Sequence, residues 1–189
     1  MKKSMPRSAT VCAFLAALAV VLSSPRLPAQ APPDEFLISE GKAGRLEVGM
    51  TVDAALQAFG RERVRLVDLN HEGFFTPAIE IDVPGSAVRA AIVGEITEGP
   101  CGGFSLRSLT IRDPKFRTLD GLGVGSTLVE LQKRRAVRIS REEGWSAMVP
   151  NTQIAFGLGA SAGTADARVT LVRVWLDAKT VRERRCPTR

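Results

Sequence analysis

Hydrophobic and polar residues alternate with period two in two well-separated stretches of the chain. Ile79, Ile81 and Val83 are interleaved with Glu80 and Asp82, and Ile154, Phe156 and Leu158 with Gln153, Ala155 and Gly157. That period places one set of side chains on each face of a strand, so both stretches predict a sheet with one buried face. A different period follows "VGMT": Val52, Ala55, Leu56 and Phe59 fall on one helical stripe, and Gly60 is a natural stop. Strands with short helices laid against one face predict an α+β fold.

The pattern occurs twice. "GRLEVGMTVDAALQAFG" begins at Gly44 and "DGLGVGSTLVELQKR" at Asp120, with Leu46 aligned to Leu122, Val48 to Val124, Gly49 to Gly125 and Thr51 to Thr127. Internal similarity at a fixed offset implies two copies of one supersecondary unit. Each copy reads as an extended segment, a helix and three strand-like runs, a β-α-β-β-β unit. The first copy takes residues 35–100 and the second 101–179, with "LRSLTIR" (106–112) as the opening segment of the second. "GASAGTADA" (159–167) reads as a flexible hairpin tip or loop, residues 30–34 as a disordered start, and 180–189 as a solvated basic tail.

Three glycines within residues 121–125 raise the question of a phosphate-binding loop. A Walker-type loop ends in Gly-Lys-Ser/Thr, and here Gly125 is followed by Ser126 and Thr127. A dinucleotide fingerprint spaces its third glycine one position later and follows a buried strand directly. The first copy keeps only Gly49 of the three. What the copies share is a bend and a threonine: Thr127 with Glu130 matches a capping box, and Thr51 with Asp53 gives a cap plus an acid at the positive end of the helix dipole. Gly49, Thr51, Gly125, Thr127 and Glu130 are therefore read as structural helix starts, with no cofactor.

The N-terminus bears on charge. Lys2, Lys3 and Arg7 precede an apolar run from Val11 to Leu22, and small residues follow, the pattern of a secretory signal peptide over residues 1–29, cut near Ala29 or Ala31. The whole chain is +6, from 26 basic and 20 acidic residues. Lys2, Lys3, Arg7 and Arg26 leave with the leader, so the remainder carries 22 basic against 20 acidic residues, or +2. That balance gives no footprint for nucleic acid. No later run is long enough to span a membrane. Localisation is expected to be periplasmic or secreted.

Beyond the leader, the cysteines are Cys101 and Cys186. Export favours a disulfide between them, with two free thiols or a redox pair as the other readings. The single histidine, His71, lies in a turn beside Glu72, and no His, Cys, Asp or Glu spacing forms a metal site. Lys133, Arg134, Arg135 and Arg138 sit at or near a helix end, where cations complement the dipole; an anionic partner such as lipid headgroups is the alternative. Arg182, Arg184, Arg185 and Arg189 belong to the tail. If Val172, Val174 and Leu176 face the core, Arg173 and Trp175 face away from it, and neighbouring strands add Arg89, Thr110 and Gln153. Tryptophan beside arginine suits a protein-binding surface, the other reading being that Trp175 packs under a loop or against the other copy.

The tandem Leu-x-Val-Gly-Met/Ser-Thr corner resembles that of the β-lactamase-inhibitor-protein-like group, whose half-unit is shared by small outer-membrane assembly lipoproteins, and that of uncharacterised exported bacterial proteins. The resemblance covers most of residues 35–177 and implies an exported, non-enzymatic module that binds proteins across a sheet's concave face. This chain lacks the tyrosines such faces often use, the inhibitor's disulfides within each copy, and the lipoprotein's anchoring cysteine. The expectation is a binding module for an unidentified protein or envelope component. The alternative is a small periplasmic hydrolase or ligand-binding protein with a carboxylate/arginine cleft between the copies.

Overall fold

The alternating runs become strands of one sheet. A computed structural model describes residues 33–141, 144–159, 164 and 166–186; the leader, its cleavage region, Arg189 and most of "GASAGTADA" lie outside the described residues. In chain order the elements are β1 (Leu37–Ser39), β2 (Lys42–Ala43), β3 (Leu46–Glu47), α1 (Val52–Phe59), β4 (Val64–His71), β5 (Phe74–Ile81), β6 (Ile92–Glu98) and β7 (Phe104–Ile111). They continue with β8 (Arg117–Thr118), α2 (Leu128–Arg134), β9 (Arg138–Ser140), β10 (Ser146–Met148), β11 (Ile154–Leu158), β12 (Val169–Trp175) and α3 (Ala178–Arg185). The fold is α+β. Eight antiparallel strands run β4-β5-β6-β7-β12-β11-β10-β9, and a small sheet runs β3-β2-β1-β8.

Two rows cross the large sheet and show how its faces differ. Val64, Ile81, Ile92, Ile111, Val172, Phe156, Ala147 and Ile139 pair strand to strand without a polar residue. One residue along, the row on the opposite face reads Arg65, Glu80, Val93, Thr110, Arg173, Ala155, Met148 and Arg138. Ile81, Ile92, Ile111, Val172 and Phe156 are fully buried, in one core with Leu46 from the small sheet, Ala55, Leu128 and Leu131 from the helices, and Leu122 from the turn before α2. Each such side chain contributes about 1.5–3 kcal/mol, against roughly 0–1 for an exposed ion pair, so the apolar row dominates the energetics.

The two helix starts are built alike. The Thr51 hydroxyl accepts from the Ala54 amide at 3.2 Å. At Thr127 both halves of the box form: Thr127 Oγ1 accepts from Glu130 N at 3.2 Å, and Glu130 Oε2 from Thr127 N at 2.8 Å. Each corner also pairs with a strand. Gly49 N donates to the Leu106 carbonyl at 2.7 Å and Leu106 N to Met50 O at 2.9 Å; Gly125 N donates to Val169 O at 2.8 Å and Val169 N to Ser126 O at 2.9 Å. By these bonds the counterpart of β7 is β12, the strand that closes the second copy. "LRSLTIR" thus holds a closing position in the first copy, whereas the sequence suggested an opening one in the second.

The C-terminal segment departs from the solvated tail expected of it: it is helix α3. Asp177 caps it, accepting from Thr180 N at 2.9 Å; Val181 is buried; Arg185 pairs with Glu47; and Cys186 is disulfide-bonded to Cys101 across a Cα separation of 5.5 Å. Only Val181 is apolar enough to dock it, so the cap, the ion pair and the disulfide supply what hydrophobic periodicity lacks. In the chain-entropy picture, closing a loop of 85 residues stabilises by about 4–5 kcal/mol.

α3 distinguishes the otherwise matching corners. Gly49 and Gly125 both have positive φ, 84° and 90°. A Cβ on Gly49 would lie 2.7 Å from Val181 Cγ1, whereas one on Gly125 meets nothing within 4 Å. Gly125→Ala should therefore cost only the backbone strain, about 1–2 kcal/mol. Gly49→Ala should cost that plus displacement of α3, giving a clearly lower denaturation midpoint; equal losses would mean that α3 does not seat on Gly49.

Candidate functional site

The face opposite the helices carries the charged and aromatic row. Register sets Arg173 directly across from Thr110, and Trp175 across from Ser108, with Trp175 N donating to the Gln153 carbonyl at 3.1 Å. Four of the side chains singled out from sequence, Trp175, Arg173, Thr110 and Gln153, thus gather over β7, β12 and the start of β11. Arg89 does not join them. It stands exposed in the loop between β5 and β6, where its charge acts on Asp82.

At the centre of the face lies a residue the pattern reading passed over. Glu95 is 4% exposed, sits across from Ser108, and is held by two arginines. Arg107 Nη2 donates to Glu95 Oε2 at 2.9 Å, and Arg173 Nη2 donates to Oε1. The register shift between Glu95 and Ile96, a bulge, makes room for Arg107: Glu95 pairs with Ser108 and Ile96 with Leu106, so Arg107 has no partner across the ladder. Burial works to raise the Glu95 pKa, but the Arg173 and Arg107 charges and hydrogen bonds outweigh it and hold the carboxyl below its ordinary value. Two buried oxygens flank Trp175 without a hydrogen bond, Ser108 Oγ and Gln153 Oε1; the Gln153 amide nitrogen is used, donating to Asp177 at 3.1 Å.

A second charged group lies towards the β4 edge. Arg65 donates to Asp82 at 2.6 Å and to Glu80 at 3.3 Å, and Asp82 also accepts from Ala90 N at 2.7 Å. The Arg65 hydrogen bond, and next the Ala90 amide, keep Asp82 below the usual carboxylate range. Two of the four helix-end cations, Arg134 and Arg135, have partners too. Arg135 grips Asp120 through two bonds of 2.6 and 2.7 Å, and Arg134 donates to the Asp120 carbonyl. They tie α2 to the preceding turn.

Among the described residues, two shallow concavities bear on the search for a site. One, about 360 Å³, lies between Arg138, Ser140 and residues 148–152. The other, about 500 Å³, lies beside α1 at Asp53, Leu56, Gln57 and Arg61. Neither contains facing carboxylates. Among the described residues no group of three or more His, Cys, Asp or Glu is placed to hold a metal ion, and no helix is long and apolar enough to cross a membrane.

Comparison with known proteins adds the fold and little else. The chain is similar to a solved structure of the uncharacterised protein yfeY from Escherichia coli, with a TM-score of 0.55 and 14% identity, covering 74% of this chain and 99% of that one. No protein-family model matches, and no curated protein matches. This supports an uncharacterised bacterial fold and not the specifics of the β-lactamase-inhibitor group suggested by the glycine-threonine corner. The reason is physical: that corner encodes a bend and a helix cap, which unrelated folds need equally.

The carboxylates generate a pH test. Glu95, Asp82, Asp120, Glu130 and Asp177 are all held below their ordinary values. A depressed carboxylate stabilises the fold fully above its unfolded pKa, near 4, and loses that contribution as pH falls through the folded value. The thermal midpoint should be flat from neutral pH to about 5 and fall below about 4. Glu95→Gln, which leaves two arginines without their shared carboxylate, should lower stability by about 2 kcal/mol at neutral pH and flatten the acid limb. Identical acid limbs in the two proteins would show that Glu95 is not among the responsible groups.

Proposed function

We propose that the protein is an exported, non-catalytic binding module that recognises a protein or cell-envelope partner through the helix-free face of its large sheet. The observation that carries this is the cluster at β7 and β12: half-buried Trp175 beside Arg173, with Ser108 Oγ and Gln153 Oε1 left without hydrogen bonds on either side. Tryptophan and arginine dominate interface energetics, and buried polar atoms without partners are places where a small side-chain movement on docking gains a hydrogen bond. The Cys101–Cys186 disulfide and the leader pattern support export.

The hydrolase reading has a weaker basis. A carboxylate–arginine group does stand where the two copies meet, but Glu95 is shared by Arg107 and Arg173 and buried beneath them. A carboxylate held ionised by two guanidinium groups is a poor proton acceptor and has no approach for a substrate.

The test is capture from envelope extract with the wild type and with Trp175→Ala. Because Trp175 is only half-buried, the variant should fold, and it should lose at least tenfold in recovery of the partner, as an interface anchor worth 2 kcal/mol or more would require. Equal recovery of every captured protein by both would remove this face from the account.

A further inference from the structure

The two edges of the large sheet are treated differently. β9 has three residues, which leaves little backbone to pair. β4 has eight, no strand among the described residues pairs with its outer side, and no proline, bulge or described element protects it. Natural sheets blunt long edges because a row of free N–H and C=O groups templates pairing with another chain. Here the reverse is seen. Leu66, the third residue of the strand, is 73% exposed, and the one basic residue within the strand, Arg65, is neutralised by Glu80 and Asp82. Only Asp68 offers a free charge.

We propose that β4 pairs with β4 of a second copy, antiparallel about a two-fold axis normal to the sheet, joining two eight-stranded sheets into one of about sixteen. The occupant is argued from the strand itself. Such an axis keeps both apolar faces on the same side, so facing residues must share a face and the axis passes through a residue rather than between two. Centred on Asp68 it would set two carboxylates against each other, and centred on Arg65 two guanidinium groups; like charges directly opposite are destabilising. Of the other centres that keep at least five strand residues paired, Leu66, Val67 and Leu69, only the first two bring the exposed Leu66 into the pairing. The first sets Leu66 against its own copy and Asp68 against Val64; the second sets Val67 against Val67 along a longer ladder. The strand is therefore free of self-repulsion where its exposed leucine lies. A single strand pair buries little area, so the association is weak and concentration-dependent. This inference goes beyond the open-face reading and does not rest on it.

The experiment is sedimentation of the purified protein over a wide concentration range, for the wild type and for Leu66→Lys. Leu66 is exposed in the monomer, so its replacement leaves the fold intact, which circular dichroism checks. The wild type should pass from monomer to dimer mass as concentration rises, and the lysine variant should need at least tenfold more protein or stay monomeric. Oxidation of Leu66→Cys or Val67→Cys should trap the dimer through the residue on the axis. Amides of Val64–Asp68 on the outer side should gain hydrogen-exchange protection with concentration. A wild type that stays monomeric throughout, a lysine variant that associates equally well, or β4 protection independent of concentration would overturn the proposal.

Discussion

The antiparallel joint between β7 and β12 is the constraint on which the rest depends. Each copy makes a four-stranded sheet with a helix at its start, and each closes with a strand that its own glycine-threonine corner clamps by a reciprocal pair of backbone bonds. Because the closing strands pair with each other, Ile111 meets Val172 and Leu109 meets Val174, and two small apolar faces become one. Neither half alone has a large core. Joined, they bury an apolar row that crosses seven strands, from Val64 to Ala147, against α1, α2 and the small sheet, leaving Ile139 on β9 exposed.

The same joint makes the opposite face. It sets Arg173 across from Thr110 and within reach of Glu95 on β6, so a carboxylate of the first copy is held by an arginine from the second, 78 residues away. It also sets Trp175 beside Ser108 and sends the chain over the end of the sheet into α3, where the disulfide returns it to the turn between β6 and β7. Core, charged cluster and C-terminal strap are thus consequences of one strand pairing. The candidate recognition surface lies on the paired strands of the joint rather than on a loop.

Local physics was legible in the sequence. The alternation at 79–83 and 154–158 gave the core face at Ile79, Ile81, Ile154, Phe156 and Leu158, though Val83 lies half-buried beyond β5 and Ala155 is buried on the opposite face; Val172 and Val174 point into the core with Arg173 on the other side. Long-range physics was not legible. Glu95 is one acid within an apolar run, and nothing local says that its partners are Arg107 and Arg173. α3 escaped because a lysine- and arginine-rich stretch with only Val181 to bury looks like a solvated end; the cap at Asp177, the Glu47 pair and the disulfide that order it are mostly tertiary. The place of β7 was misread because the copies differ in arm length: the β4–β5 hairpin has eight-residue arms and β9–β10 three, so a fixed offset drifts out of register beyond the helix.

The most direct measurement concerns the joint itself. Both tryptophans, Trp145 and Trp175, lie in the second copy, so their fluorescence reports that half, while far-ultraviolet circular dichroism reports the whole chain. If β7 and β12 fuse the copies into one cooperative unit, the two signals should follow a single coincident denaturant transition. Separate midpoints, with the tryptophans reporting one half melting while the other keeps its strands, would contradict a fold held together at that joint.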